Sequence, residues 1–205
     1  LPLFIKIGGC EAKTDIRNCI NLGVDAVVAP MVETPFALSK FLNAVGEDAQ
    51  IKTLFLCESI TAYDNLDSIF SLKEAERLTG IIMGRSDFTK SMGLNKSEVD
   101  TKKICDHVEK TLKTAKSKKL ITTMGGNIST KSSCFVKKMF EKGLLDKIET
   151  RNVIIQLNED NIMRLKEVIR QALDFEINWL RYNSKSYADL SHEYTYRAGL
   201  LESRK

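Results

Sequence analysis

The chain has 205 residues, of which 43% are hydrophobic and 28% charged, with 3 prolines and 11 glycines. These proportions belong to a folded globular protein with room for one sizeable core and exclude collagen, low-complexity and disordered readings. The net charge of +4, from 31 basic and 27 acidic residues, is too small to indicate a nucleic-acid partner, and no apolar run approaches the ~18 residues of a membrane span.

In chain order, short apolar and β-branched runs alternate with longer amphipathic stretches. Leu3–Ile7 reads as a strand, and the chain opens almost inside it without an initiator methionine, so upstream sequence is expected. A helix over Ala12–Leu22 places Ile16, Cys19 and Ile20 on one side and stops at Gly23. Ala26–Ala29 is a second strand, leading through Pro30-Met31-Val32-Glu33 to a helix that Thr34 caps and Pro35 enters. Leu38, Phe41, Leu42 and Val45 repeat at i, i+3, i+4, i+7, and Gly46 ends that helix.

Leu54–Cys57 is a third strand ending at Glu58, followed by a helix with Leu66, Ile69 and Phe70. Gly80–Gly84 is a fourth, ending in Arg85-Ser86-Asp87, and Ser97 is expected to begin a long helix bearing Ile104, Val108, Leu112 and Ala115. The lysines between Lys102 and Lys119 interleave with that stripe, as on a solvated helix face. Leu120–Met124 is a fifth strand, closing on Gly125-Gly126 before a helix with Phe135, Val136, Met139 and Phe140. A sixth, around Val153–Ile155, precedes Asn158, the cap of a helix reaching about Arg181.

Six strand-then-helix units imply a parallel sheet with right-handed crossovers and the α/β class. The first βα turn, Gly8-Gly9-Cys10-Glu11, lacks GxGxxG spacing and no Walker lysine motif occurs, which weighs against a nucleotide-binding open sheet. Lys6, Glu33, Glu58 and Asp87 fall at the carboxyl ends of successive strands. In a (β/α)8 barrel those ends converge on one mouth, where the chemistry takes place.

Glu58 and Asp87 follow runs that should be buried, and a carboxylate there needs a cation or donor. Together they make half of an oxygen-ligand site suited to Mg²⁺ or Mn²⁺. The other reading is that Glu58 caps the helix at Thr61–Ala62 while Asp87 pairs with Arg85 or caps a turn. Lys6 can bind an anionic substrate at the mouth or end its strand in solvent. Gly125-Gly126 can bring backbone amides to a carboxylate or form a tight βα turn. The two histidines, His107 in the lysine-rich helix and His192 in the tail, are far from any strand end, so no Ser-His-Asp or Cys-His arrangement is proposed. Five cysteines without a CxxC pair suit a reducing, cytoplasmic setting better than disulfides or zinc, and Cys57 reads as an inert core thiol.

Three blocks resemble the HpcH/HpaI aldolase and citrate lyase β-subunit family: Ala29-Pro30-Met31-Val32-Glu33-Thr34 with Ala37, Cys57-Glu58-Ser59 with Ala62, and Gly84-Arg85-Ser86-Asp87-Phe88 with Ser91-Met92-Gly93. The similarity runs from about Lys6 to Val153. It implies a (β/α)8 TIM barrel of the phosphoenolpyruvate-binding type, in which Glu58 and Asp87 bind Mg²⁺ or Mn²⁺ and the ion holds a 2-oxo acid such as pyruvate as its enolate. The family's aldolases have an arginine where this chain has Lys6, and a glycine- and arginine-containing loop ahead of the metal glutamate that is absent here.

The six units correspond to barrel strands three through eight, so residues 1–157 are expected to form those strands with their helices, without the first two strands. Residues 158–205 are expected to form a helical extension. Its Ala172, Leu173, Phe175, Trp179 and Leu180, with Tyr187, Tyr194 and Tyr196 on a second helical stretch, would cap the barrel or pack on a neighbouring subunit of a homo-oligomer. The expected function is a metal-dependent carbon–carbon lyase of aldolase type acting on a small 2-oxo acid, with Glu58 and Asp87 as metal ligands, Lys6 as catalytic anion contact and Gly125-Gly126 on the substrate. The alternatives are an acyl-CoA thioester lyase of the citrate lyase type and a non-catalytic barrel binding a small acid or a protein partner.

Overall fold

The computed structural model describes residues Leu1–Ser203. Its centre is a curled sheet of seven strands in sequential order: β1 Phe4–Lys6, β2 Ala26–Ala29, β3 Lys52–Cys57, β4 Gly80–Gly84, β5 Ile121–Gly125, β6 Lys147–Glu149 and β7 Ile154–Gln156. The first six are parallel and the last is antiparallel to its neighbour. Helices α1 Lys13–Leu22, α2 Pro35–Val45, α3 Ile60–Asp64, α4 Leu66–Phe70, α5 Arg85–Ser91, α6 Lys102–Ser117 and α7 Ser133–Glu141 occupy the crossovers. The chain ends in α8 Glu159–Met163 and α9 Leu165–Glu202.

Alternation along the strands builds two apolar clusters. Val27, Ala29, Phe55, Cys57, Ile81, Met83 and Met124 face the helices, where they meet Ile16, Leu38, Phe41, Ile104 and Val136 in the main core. Ala26, Val28, Leu54, Leu56 and Ile82 face the other way, into the concave side, with Phe4 against them. The curl is tight: the Lys147 ammonium of β6 lies 5.0 Å from the centre of the Phe4 ring of β1, although four strands separate them in the sheet. Strand C-termini, and the residues just after them, therefore share one rim.

Local signals act as their residue types dictate. The Thr34 side chain accepts from the Ala37 amide at the start of α2, with Pro35 in the first turn, and Gly23 ends α1 in the left-handed conformation. Three expectations need correction. The strand expected at Val153–Ile155 as a sixth parallel unit is the antiparallel β7; the sixth parallel strand is β6, and no helix separates the two. Three-residue Lys-Ile-Glu offers one apolar position and no run, while Arg151-Asn152 fits a hairpin turn closed by the Thr150 amide on the Val153 carbonyl. The long helix begins at Lys102, because Asn95 and Glu98 form a reciprocal capping box over a separate 3-10 turn at Lys96–Glu98. Finally, α9 is one helix of 38 residues that runs past Arg181 without a second start; no glycine or proline interrupts 165–198. Its first turns belong to the core through Leu165, Ile169 and Ala172. Among the described residues no helix is long and apolar enough to cross a membrane.

Candidate active site

Lys6 closes β1 and Glu58 follows β3, and both lie at the C-terminal rim of the concave face, with Lys6 Nζ 3.6 Å from Glu58 Oε2. Glu58 is only 5% exposed, and its second oxygen accepts the Met31 amide at 3.1 Å. Met31 has φ +53°, a left-handed conformation that costs a non-glycine residue about 1 kcal/mol or more. That turn after Pro30 carries the amide to the carboxylate, so a left-handed residue in the β2–α2 loop positions the donor that holds Glu58.

Glu149, the last residue of β6, occupies the same rim. A Cβ on Gly125 would lie 2.7 Å from Glu149 Oε1 and 2.8 Å from its Cγ, and a Cβ on Gly84 would lie 2.9 Å from that of Glu58. Gly84 and Gly125 pair with each other in the sheet, so two neighbouring strands lack side chains where the two glutamates need room. Burial pushes the Glu149 carboxyl up to about 7; the charge of Lys6 opposes the rise and that of Glu58 adds to it. Glu149 was not among the residues singled out from sequence. Its only advance signal was the alternation of Lys147, Ile148 and Glu149, which puts one polar face on the concave side.

Asp87 lies in the first turn of α5, which follows β4 without a loop. Its carboxylate is 59% exposed and 3.6 Å from Lys90 Nζ. Arg85 is its neighbour in sequence and not its partner. The guanidinium is 0% exposed and donates to the carbonyls of Gly125 (3.2 Å) and Gly126 (3.0 Å), to Ser132 Oγ (3.2 Å) and to Asp100 Oδ1 (2.7 Å). Gly126 has φ +81°, and a Cβ there would lie 2.6 Å from the Arg85 amide nitrogen. The Gly125-Gly126 pair thus seats the start of α5, with both carbonyls taken by Arg85.

Glu33 turns away from the rim toward α3: its carboxylate accepts from Ser59 Oγ and its carbonyl from Asn65 Nδ2. Ser59, not Glu58, caps α3 by accepting the Ala62 amide. His107 packs its ring 4.9 Å from Tyr63 and 5.5 Å from Phe88 between α6 and the helices beside it. His192 is exposed on α9. Cys57 is fully buried, and burial, reinforced by the charge of Glu58, pushes its thiol up to about 12.

Among the described residues, no three of His, Cys, Asp and Glu converge as a closed cage. The donors at the rim are carboxylate oxygens, hard ligands that suit an open site where Mg²⁺ or Mn²⁺ keeps most of its waters. Glu58 has lysine and amide compensation, and the lack of a side chain at Gly84 lets it lie close against the neighbouring strand. This chemistry fits a divalent cation held by few protein groups.

The model of the family described as HpcH/HpaI aldolase/citrate lyase matches residues 8–141. The chain belongs to that family. Among curated proteins no sequence matches it. Among solved structures it is similar to an HpcH/HpaI aldolase from Desulfitobacterium hafniense, with TM-score 0.61 and 11% identity over 73% of this chain and 65% of that one. It is similar also to an HpcH/HpaI aldolase/citrate lyase family protein from Burkholderia cenocepacia, at 0.58 and 14% over 85% and 73%. A citrate lyase from Burkholderia xenovorans gives 0.61 and 7% over 82% and 57%. At these identities the likeness establishes a shared fold, and the chain spans less than two thirds of the length of the first and third of these structures.

Proposed function

We propose that this chain carries the larger part of a (β/α)8 lyase barrel, with β1–β6 in the places of strands three to eight, and that it cleaves a carbon–carbon bond in a small 2-oxo acid. The observation that carries this reading is the placement of Lys6, Glu58 and Glu149 on one rim of the concave face, in a chain whose family comprises aldolases and citrate lyases.

In this reading Glu58 and Asp87 hold Mg²⁺ or Mn²⁺. When bound, such an ion supplies Lewis-acid stabilisation of an enolate oxygen, worth several kcal/mol of barrier. The other functions belong to the chain's own residues. Met31 fixes Glu58 through its amide. Lys6 places a single ammonium where a substrate carboxylate would enter; it neutralises charge without the two-pronged orientation a guanidinium gives. Glu149, raised to about 7 by its surroundings, holds a proton close to neutral pH at Oε1 or Oε2, next to the glycine gap at Gly125. The main core excludes water from the helix side of the sheet, so the reaction is confined to the rim.

The test is a panel of 4-hydroxy-2-oxo acids incubated with Mg²⁺ or Mn²⁺ and assayed for released pyruvate. Release that is abolished by Glu58→Gln supports an aldolase. Cleavage confined to acyl-CoA thioesters would assign the citrate lyase chemistry instead, and turnover of neither would leave a binding protein.

A further inference from the structure

The concave face carries an ammonium that the rim does not use. Lys147 and Glu149 are the outer residues of β6, and Ile148 between them faces the helices. The two therefore share the concave side one step apart, about 6.6 Å along the strand. Lys147 Nζ lies 5.0 Å from the centre of the Phe4 ring, and Phe4 packs on the apolar floor of Ala26, Val28, Leu54, Leu56 and Ile82. Lys6 stands two residues beyond Phe4 on β1. The Lys147 amine thus sits against an apolar surface, one layer beneath the rim that holds Lys6, Glu58 and Glu149.

That ammonium is poorly compensated. Among the described residues no carboxylate pairs with it: its neighbour Asp146 is taken up by Lys116 at 2.5 Å and by the Thr122 amide at 2.7 Å. Burial weakens the hold of Lys147 on its proton, and the charge of Lys52, the first residue of β3, weakens it further, with Asp146 opposing. A desolvated lysine near a second cation is the arrangement that frees an amine to attack a carbonyl. If stacking on Phe4 were its whole role, arginine would serve as well.

We propose that Lys147 forms an imine with the keto carbon of a small 2-oxo acid held on the concave face, with the acid's carboxylate on Lys6. The nitrogen lone pair adds to the carbonyl carbon, and the resulting carbinolamine expels the former carbonyl oxygen as water. Overall, one ammonium and one ketone give one iminium and one water. Glu149, on the same face of the same strand, takes the proton that the ammonium gives up and returns it to the departing oxygen. The iminium is an electron sink at the carbon where an enolate would otherwise form, and it draws on no metal ion. This inference rests on the concave face admitting a 2-oxo acid, as in the proposed lyase, and not on the ion at Glu58.

In the test, the 205-residue chain is incubated with pyruvate and a chelator, reduced with borohydride and weighed by mass spectrometry. One addition per chain is expected, of pyruvate less one oxygen atom, and peptide mapping should place it on Lys147. Lys147→Arg keeps a cation on Phe4 and should lose the addition. Lys6→Met should keep it on Lys147 but need several-fold more pyruvate. Mapping of the unsubstituted chain decides the matter even if Lys147→Arg is unstable. No addition, labelling spread over the exposed lysines, addition at Lys6, or addition that survives in Lys147→Arg would each overturn the proposal. The chelator separates the two readings: labelling without coupled binding of metal and acid would strike the ion and spare Lys147, and coupled binding without labelling would do the reverse.

Discussion

Glu58 and Glu149 stand at the ends of one cross-sheet row whose two middle positions are Gly84 and Gly125. The glycines are paired to each other, and each would bring a Cβ within 3 Å of the adjacent glutamate. Two acidic side chains find room on the rim because the strands between them yield their volume. Lys6, 3.6 Å from Glu58, answers part of the charge.

Because that compensation is incomplete, stability should depend on pH through Glu149. An ordinary glutamate titrates near 4.3, whereas Glu149 is raised to about 7. Between those values the unfolded chain has lost the proton and the folded chain retains it, so folding stability falls as pH rises through this window and levels off above about 7. Glu149→Gln removes the effect. In urea titrations with chelator present, the variant should match the parent near pH 4 and exceed it by up to about 3 kcal/mol near pH 8. Parallel curves across that range would count against a carboxyl raised by burial at Glu149.

The two glycines should differ in their tolerance. An added methyl on Gly125 meets the flexible end of Glu149, which can swing aside, whereas on Gly84 it meets the Cβ of Glu58, fixed by the backbone. Gly84→Ala is therefore expected to cost about 1–3 kcal/mol, and Gly125→Ala less. Thermal midpoints of the two variants check the order, which reverses if Glu149 is the more rigid neighbour.

Arg85 and Asp87 provide a contrast between scaffold and site. Arg85→Lys loses a buried fork that serves three carbonyls, a hydroxyl and Asp100, and should lower stability by about 3 kcal/mol or more. Asp87→Asn removes an exposed pair with Lys90 and should change stability by less than about 1 kcal/mol. Urea midpoints measured side by side would show whether Arg85 is the structural member of the Gly84-Arg85-Ser86-Asp87 segment.

Much of the architecture could be read from residue order, since the apolar runs of β2 to β5 and the stripe of α2 are long enough for their periods to declare themselves. Lys6 and Glu58 were legible as rim groups because each closes such a run. Glu149 was hidden because β6 has one apolar residue, so no run marked its end. Met31 was hidden because its contribution is an amide placed by a positive φ, which side-chain chemistry does not announce. The partner of Arg85 lies 15 residues away in a loop, beyond the reach of local spacing. The length of α9 exceeded expectation because amphipathic patterning marks where a helix is buried, whereas its end is set by stop residues.

If Glu58 serves a site for a divalent ion and a small 2-oxo acid, the two ligands must bind cooperatively through it. Titrating Mg²⁺ or Mn²⁺ against the protein with and without oxalate, following the thermal midpoint, measures that coupling. Each ligand should raise the midpoint more in the presence of the other, and the coupling should vanish in both Glu58→Gln and Asp87→Asn. A midpoint that ignores both ligands, or coupling that survives loss of Glu58, would contradict it.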